Sequence, residues 1–421
     1  MVDNRGIRLG LLGNLKQEFS FIKGNYAVMI ASWIIVDFAS ELPATYFGLY
    51  VLGLGATETI LGVIGLSQFL ALASLQFPGG YLADKYGRKW LISSMTFGVG
   101  LSFILYAVAP SWPFILVGVV CMCICNSTYQ PALNAMISDS LPAEKRGMGF
   151  SIVMLIASVS TTPSPAVAGL LRANFGLMNG MRIAYGITVG LFLIAAFFRS
   201  FFLKETIVTA SKPRLHEIFQ SYPTALKESF AVWKRLPKSL LYLFVSFSVA
   251  TFGFAATNFF TVIYATQELL IDEVAWAFLL AILPITTILL ALPMGKLVDK
   301  IKRKTPILLA TLIFGLSMWL FVNGNYTRIA LALILLGAGN VMLNAAFGAL
   351  QTDLTPREER GKVNGFMNFA NYIVLAAGSL VGGLLYDHVT PSAPFWLAIA
   401  CVPVSFVLML VLVKEPEKRE E

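Results

Sequence analysis

The stretch Gly79-Gly-Tyr-Leu-Ala-Asp-Lys-Tyr-Gly-Arg-Lys89 is a charged segment between two long apolar runs. A related segment, Gly295-Lys-Leu-Val-Asp-Lys-Ile-Lys-Arg-Lys304, places its Asp and Arg 215 positions later. A second pair of segments, 139–147 and 353–361, shares the pattern Asp-x-x-Pro-x-Glu-x-Arg-Gly at a shift of 214. Two matches at nearly the same shift indicate an internal repeat of two units in the same orientation.

The composition is that of an integral membrane protein. Of the 421 residues, 57% are hydrophobic and 13% are charged. Soluble domains carry about 25% charged residues, so much of the apolar surface here must face lipid. The four cysteines predict neither a disulfide framework nor a metal site, because Cys121, Cys123 and Cys125 cannot share one helical face. No cofactor is expected.

Apolar runs long enough to cross a bilayer, about 20 residues each, predict an all-α fold with twelve transmembrane helices. The predicted spans, numbered one to twelve, cover residues 27–51, 58–80, 90–109, 112–137, 149–171, 181–203, 240–266, 274–295, 306–322, 328–350, 363–385 and 393–413. The repeat divides them into two pseudo-symmetric bundles of six helices.

The predicted domains follow from these spans. They are an N-terminal segment (1–26), an N-terminal bundle (27–203), a linker (204–239), a C-terminal bundle (240–413) and a tail (414–421). With both termini in the cytoplasm, only Arg172, Arg182 and Arg328 of the 31 Lys and Arg fall on the external side. The positive-inside rule therefore predicts a multi-pass protein of the plasma membrane with this orientation. It also explains the net charge of +8 without nucleic acid as a partner.

Twelve spans in two parallel halves, with the motif G-x-L-A-D-K-x-G-R-K after span two, resemble the major facilitator superfamily. The resemblance covers the whole chain. The second copy departs from the motif at Lys302, where the first copy has Gly87. The resemblance implies a secondary transporter rather than an enzyme, in which two bundles rock around a central site. No phosphate-binding loop of the G-x-x-x-x-G-K-[ST] type is present, so direct use of ATP is not expected.

The charged motifs are interpreted as a cytoplasmic gate. Asp84 can face a helix N-terminus, and Arg88 can reach Asp139 at the end of a neighbouring helix. In similar transporters such contacts latch the two halves together while the central site faces outward. The alternative is a solvated turn that obeys the positive-inside rule. The residues of the predicted gate are Gly80, Asp84, Arg88, Asp139, Glu144, Arg146, Asp299, Arg303, Asp353, Glu358 and Arg360.

Two carboxylates lie well inside a span, and both are in span one. The spacing of Asp37 and Glu41 places them one turn apart on the same helical face. Two close carboxylates in a medium of low dielectric do not both ionise easily, so one can bind a proton or both can bind a cation. No Lys, Arg or His is expected deep in another span to neutralise them. The pair is therefore the predicted site of proton coupling or cation binding.

Other polar residues at membrane depth are candidates for the substrate cavity. In this superfamily spans one, four, seven and ten line the cavity. The resemblance therefore assigns to it Tyr46, Asn126, Gln130, Asn258, Asn340 and Asn344. Hydrogen bonding between helices is the alternative explanation of each.

The predicted function is proton-coupled transport of a small solute, which the acids suggest is a cation, by a monomer in the lipid bilayer. Ser164 to Gly169 in span five is similar to the G-P-x-x-G-G element of proton-coupled antiporters, which favours export. Span four has no Arg, a residue that many drug–proton antiporters have there, which argues against multidrug efflux. Uptake by symport is the alternative. A membrane-embedded enzyme or a sensor is a remote alternative, because both histidines lie outside the spans.

Overall fold

The computed structural model describes residues 19–74, 82, 86–142, 145–207, 237–356 and 359–415, without the side chains of residues 146, 147, 292, 296 and 298–300. These ranges contain helices and no strand. The helices of the N-terminal half are α1 (Gly24–Ala44), α2 (Phe47–Gly53), α3 (Glu58–Ser74), α4 (Arg88–Ala107), α5 (Trp112–Ser140), α6 (Arg146–Thr161) and α7 (Ser164–Phe202). Those of the C-terminal half are α8 (Lys238–Asn258), α9 (Thr261–Ile263), α10 (Glu273–Leu280), α11 (Ile282–Lys300), α12 (Lys304–Val322), α13 (Tyr326–Leu354), α14 (Arg360–His388) and α15 (Ala393–Leu412).

The described helices agree with twelve membrane spans. Ten apolar segments are long enough to cross a bilayer, and one of them, Met148–Phe202, has 55 residues. This segment contains a kink at Gly176, whose backbone (φ 74°, ψ 175°) is not helical, and so corresponds to spans five and six. The shorter apolar helix α3 is the described part of span two. The all-α membrane fold that the sequence predicts is confirmed.

Spans one and seven are interrupted at corresponding places. Span one consists of α1, which contains Pro43, followed by α2. Span seven consists of α8, α9 and a π-helical turn at Tyr264–Glu268. Pro43 removes one backbone hydrogen bond from the last turn of α1, so this turn is weakened just before the break. Residues at both breaks, among them Thr45 and Phe259, line a cavity between the halves that is described below, so irregular backbone is placed where a cavity can accommodate it.

Helices of one half pack chiefly against each other. In the N-terminal half α1 packs on α6 and α7, and α4 packs on α5 and α7. In the C-terminal half α8 packs on α14 and α15, and α13 packs on α11 and α12. The two halves meet where α3 lies along α14 and where α6 and α7 meet α11 and α10.

Small residues bring α3 and α14 into backbone contact. A Cβ atom on Gly62 would lie 2.8 Å from the carbonyl oxygen of Ser379, and one on Gly383 would lie 2.7 Å from that of Glu58. Only glycine permits this approach. Helices in a membrane associate by such close contacts, because lipid gives no hydrophobic drive for pairing.

The molecule has two chemically different ends. We name the end that carries Arg88 and Arg303 the basic end, and the end that carries Glu58, Glu273 and Asp387 the acidic end. At the acidic end, contacts join the two halves. Arg172 forms a bidentate ion pair with Glu273, and the hydroxyl of Thr59 donates to Oδ2 of Asp387 at 2.6 Å.

At the basic end the described ion pairs stay within one half. Arg88 pairs with Asp139 in the N-terminal half, and Arg303 lies 4.0 Å from Asp353 in the C-terminal half. Polar faces of α5 and α13 are open there, with Gln130, Asn134 and Asn344 exposed. Among the described residues, the polar contacts between halves are therefore concentrated at the acidic end.

Candidate functional site

A cavity of about 600 Å³ lies between the halves. Its described lining comes from both, with the larger share from the N-terminal half. Aromatic rings predominate, and two carboxylates and four amides supply most of the polarity. The aromatic residues are Trp33, Phe47, Phe103, Tyr106, Tyr129, Tyr185, Phe192, Phe259 and Trp276. Apolar walls with a few convergent polar groups are typical of small-molecule sites.

Asp37 and Glu41 both line this cavity, and both are half-buried. They lie on α1, one turn apart, with Ser40 between them and Trp33 one turn before. The two acids are thus brought together at the place where a solute would be held.

Arg199 corrects one expectation from the sequence. No basic residue was expected deep in a span, yet the Arg199 side chain is fully buried in α7. Its Nε donates to Oγ of Ser32 at 2.9 Å, and its Nη1 donates to Oγ1 of Thr96 at 2.8 Å. In sequence Arg199 lies four residues before the end of a predicted span, which is typical of an arginine that extends to the membrane edge. Here α1, α4 and α5 enclose it instead.

Three of the six predicted cavity residues line the cavity, namely Asn126, Gln130 and Asn258. Tyr46 lies outside its lining: it is buried, and its hydroxyl donates to the carbonyl oxygen of Glu273. Asn340 and Asn344 also lie outside the lining. They are exposed on α13, where Nδ2 of Asn344 donates to Oδ1 of Asn340 at 3.0 Å. The assignment of these three residues to substrate binding therefore stays a prediction.

Several lining residues were not predicted. Gln68 on α3 supplies an amide, and Trp276 and Leu280 on α10 supply apolar surface from the C-terminal half. Gln68 stands in an apolar run, and the cost of a polar group in lipid could have singled it out. Aromatic residues give no such signal, because core packing and cavity lining use the same residue types.

The predicted gate residues lie at the basic end where they are described. Arg88 donates to Asp139, and Arg303 lies near Asp353 in the repeated arrangement. Arg360 donates from Nη2 to the carbonyl oxygen of Thr352 at 3.3 Å. Gly80, Asp84, Glu144 and Glu358 lie outside the described residues, and so do the side chains of Arg146 and Asp299.

A repeated pair of glutamates completes these clusters and was missed in the sequence. Glu205 accepts hydrogen bonds from the backbone N–H groups of Arg88 and Lys89, both at 3.0 Å. Glu415 accepts from the backbone N–H of Lys304 in the same way. Each carboxylate follows the last helix of its half and caps the helix that begins at the charged motif. The repeated Lys-Glu pairs, 204–205 and 414–415, are 210 positions apart and were a readable signal.

No metal centre is assigned in the described part of the chain. Among those residues, no group of three or more His, Cys, Asp or Glu side chains could hold a metal ion. The polar chemistry of the cavity is that of two carboxylates, neutral amides and hydroxyls.

Comparisons with known proteins agree with the fold. The family model for the Major Facilitator Superfamily matches residues 24–283 and 243–421. Multidrug resistance protein MdtG of Escherichia coli (strain K12 / DH10B) is 28% identical over 337 residues, which cover 76% of this chain and 77% of that protein.

Solved structures share the fold at low sequence identity. The nucleoside transporter NupG has a TM-score of 0.71 and 14% identity, with 93% of this chain and 98% of that one covered. The peptide transporter POT in complex with sulfate has a TM-score of 0.71 and 15% identity, with 92% and 93% covered. These two likenesses concern the fold alone.

Proposed function

The chain belongs to the major facilitator superfamily of transporters, and from this membership we propose that it exports a small cationic solute in exchange for protons. Membership of this family confirms transport rather than catalysis as the activity. The single observation that carries the coupling proposal is the placement of Asp37 and Glu41, which both line the central cavity. Charged groups inside a membrane are costly and by default mark a functional site.

The cavity chemistry supports a cation or a proton as the alternating occupant. A cation bound between two carboxylates removes their mutual repulsion, and so does a proton on one of them. Aromatic faces beside the acids, such as those of Trp33 and Tyr129, favour an organic cation further. Competition of the two occupants for the same carboxylates is sufficient to couple their movements.

Two observations support export. MdtG, the similar protein from Escherichia coli, is named a multidrug resistance protein. The absence of Arg from span four argued against such a function, but Arg199 of span six supplies a buried guanidinium that lies over the ring of Tyr129 on α5. Its position answers that objection in part. Symport for uptake is the second candidate, because the same acids serve either direction.

The proposed movement uses the halves as rigid bodies. We propose that the bundles 27–203 and 240–413 rock about the contact of α3 with α14, joined by the linker 204–239. The segments 1–26 and 414–421 and the basic end face the cytoplasm of the cell in this proposal. One chain supplies both sides of the described cavity, so a monomer suffices.

A proteoliposome experiment tests coupling and direction. Vesicles that contain the protein and the internal pH dye pyranine are loaded with tetraethylammonium, a quaternary cation that crosses a protein-free bilayer poorly, and are diluted into buffer without this cation; protein-free vesicles are the blank. A thermal-shift comparison with glucose and lactate first checks that the cation binds preferentially. Exit of the cation by antiport acidifies the interior, whereas exit by symport makes it alkaline. Either sign identifies the direction of coupling.

The variants Asp37→Asn and Glu41→Gln are expected to abolish the pH signal while the protein stays folded and inserted. Glu268→Gln, at an exposed acid of the acidic end, is the matched control and should keep the signal. Undiminished proton movement in Asp37→Asn would remove the coupling role from this residue.

A further inference from the structure

The central cavity extends into the N-terminal bundle. Part of its lining comes from α4 and from the second part of α7, which are spans three and six. The superfamily resemblance assigns other spans to the cavity, namely one, four, seven and ten. The lining positions 99, 103 and 106 share one face of α4. We name this part of the cavity the aromatic recess, and its walls are Val99, Phe103, Tyr106, Val119, Tyr185 and Phe192.

The walls of the aromatic recess are buried, and most of them are rings. Each of the six side chains is at most 7% exposed. The ring centroids of Tyr106 and Tyr185 lie 4.9 Å apart, and the ring of Phe103 stacks on that of Tyr185 at 6.1 Å. Aromatic rings attract each other in such arrangements, at centroid distances of about 4.5–7 Å. A planar aryl group is therefore the chemical group that suits these walls.

Two hydroxyl groups of the aromatic recess have no partner in the described protein. Other buried tyrosines donate to backbone carbonyl oxygens, Tyr26 to Gly149, Tyr46 to Glu273, Tyr50 to Tyr106 and Tyr264 to Val322. The hydroxyls of Tyr106 and Tyr185 make no hydrogen bond within the described part of the chain, and neither oxygen is shut off from the cavity by the atoms around it. A buried phenol normally finds a partner, so core packing alone does not account for these two.

The aromatic recess lies near the depth of the two acids. Thr188, three residues after Tyr185 on α7, donates from Oγ1 to the carbonyl oxygen of Ala39 at 2.8 Å. Ala39 lies between Asp37 and Glu41 on α1. A helix rises about 5.4 Å per turn, so Tyr185 begins about one turn from the level of the acids. One small molecule can therefore contact the acids and the recess at the same time.

We propose that the aromatic recess is a second subsite of the cavity, and that the transported solute is an aryl-substituted organic cation with a hydrogen-bond acceptor on its ring. The ring lies between Phe103 and the two tyrosines, and its acceptor receives the hydroxyl donors of Tyr106 and Tyr185. The cationic end lies at Asp37 and Glu41, and this part of the inference rests on the proposed function. The aryl end rests on the recess alone.

Three quaternary cations test the recess. Cyclohexylmethyl-trimethylammonium has a saturated ring, benzyltrimethylammonium has an aryl ring, and (4-carbamoylbenzyl)trimethylammonium has an aryl ring with a carbonyl acceptor. Isothermal titration calorimetry of the purified full-length protein in detergent, at one pH, measures their dissociation constants. We expect the affinity to rise in this order. The carbamoyl group should increase it by about two- to tenfold, which is the usual net effect of one hydrogen bond.

Conservative variants locate the two contributions. Tyr106→Phe and Tyr185→Phe remove the phenol oxygens and keep the rings, so the double variant should lose the gain from the carbamoyl group and keep its affinity for benzyltrimethylammonium. Val99→Phe fills the recess and should weaken binding of both aryl cations, whereas tetraethylammonium, which has no ring, should bind as before. Tyr50→Phe is the matched control, because the ring of Tyr50 lies 5.6 Å from that of Tyr185 but outside the described lining. It should leave the order of affinities unchanged.

Equal affinities of the three cations for the wild type, or an undiminished carbamoyl gain in the double variant, overturn the inference. If Val99→Phe is not monodisperse, Val99→Leu takes its place, and the phenylalanine variants decide by themselves. The neutral compound 4-methylbenzamide separates the recess from the proposed function. If it binds as tightly as the carbamoylbenzyl cation and loses affinity in the double variant, the recess stands and the cationic part of the proposed function is wrong.

Discussion

At the scale of single residues, Glu205 links the end of one helix to the beginning of another. Its carboxylate accepts the N–H groups of Arg88 and Lys89, which have no partner within α4 because they lie in its first turn. A negative charge at this position also interacts favourably with the helix dipole. The side chain thereby attaches the segment that follows α7 to the N-terminus of α4.

Replacement of Glu205 by Ala is expected to lower the thermal unfolding temperature of the purified protein by a few degrees, because two backbone donors lose their acceptor. The measurement is a scanning-fluorimetry melt in detergent. Glu268→Ala, at an exposed acid, is the control and should leave the melt unchanged. Equal melts for both variants would show that the cap contributes nothing.

The sequence predicted that Asp37 and Glu41 share one helical face, but it did not predict the burial of Arg199. The spacing of four between Asp37 and Glu41 determines that they share a helical face, and the cost of charge in lipid indicates that this face is enclosed. For Arg199 the relevant fact is the rotation of α7 about its axis, which decides whether the side chain extends to the membrane edge or points inward. That rotation is set by packing against α1 and α4, and a single sequence does not contain it.

At the scale of helices, two adjacent glycines of α14 have different partners. A Cβ on Gly382 would overlap the carbonyl oxygen of Ala256 on α8, within the C-terminal half. A Cβ on Gly383 would lie 2.7 Å from the carbonyl oxygen of Glu58 and 2.9 Å from Cα of Gly62, both in the N-terminal half. α14 therefore packs within its own bundle at Gly382 and contacts the other bundle at Gly383.

This difference predicts different effects of alanine. Gly382→Ala should destabilise the fold by about 1–3 kcal/mol, because packed backbone must move apart within one bundle. Gly383→Ala should lower the thermal unfolding temperature less than Gly382→Ala does. It should instead shift the conformational equilibrium toward separation of α3 from α14. The melt measures the first effect, and hydrogen–deuterium exchange of peptides from α3 measures the second.

Gly190→Ala is the control for both variants, since a Cβ there would have no atom within 4 Å. Protection of α3 that is equal in Gly383→Ala and Gly190→Ala would contradict the assignment of this contact to the moving interface. The glycines themselves are visible in the sequence. Which of them face another backbone is a tertiary property that the helical repeat alone does not specify.

At the scale of the whole molecule, the two halves are held together at the acidic end. Arg172 and Glu273 form the ion pair there, and the hydroxyl of Tyr46 reaches the backbone of the same Glu273. The partly exposed pair contributes about 0–1 kcal/mol, enough to change a two-state population by as much as about fivefold. Such a pair can bias the position of the halves without locking them.

The reporter is the variant Thr261→Cys in a cysteine-free background, and an impermeant maleimide is applied at the acidic end. Glu273→Gln is expected to increase the rate at which the maleimide modifies this cysteine by up to about fivefold. Thr261 lines the cavity, so its accessibility reports opening at that end. Asp272→Asn, which retains an acceptor for the cap of α10, is the control. No change in rate would show that the ion pair does not contribute to closure.

The overall architecture was the most predictable level. Span length, charge asymmetry and the repeat each follow from the bilayer or from duplication, and all are one-dimensional patterns. The enclosure of the cavity was less predictable. The superfamily resemblance, in which span ten lines the cavity, assigned Asn340 and Asn344 to it, whereas α13 presents them at an exposed face outside the described lining. How far each helix leans toward the centre depends on which end is closed.

The buried Arg199 has an electrical consequence for the transport cycle. Asp37 and Glu41 are the charged residues of the described lining, so with Glu41 protonated the cluster of these acids and Arg199 carries no net charge. If Glu41 releases its proton and a monovalent cation enters, the net charge of the acids, Arg199 and the bound cation is again zero. Exchange of one proton for one such cation would then transfer no charge across the bilayer in either direction. A potassium diffusion potential imposed with valinomycin should leave its rate unchanged, and the pH gradient alone would drive it.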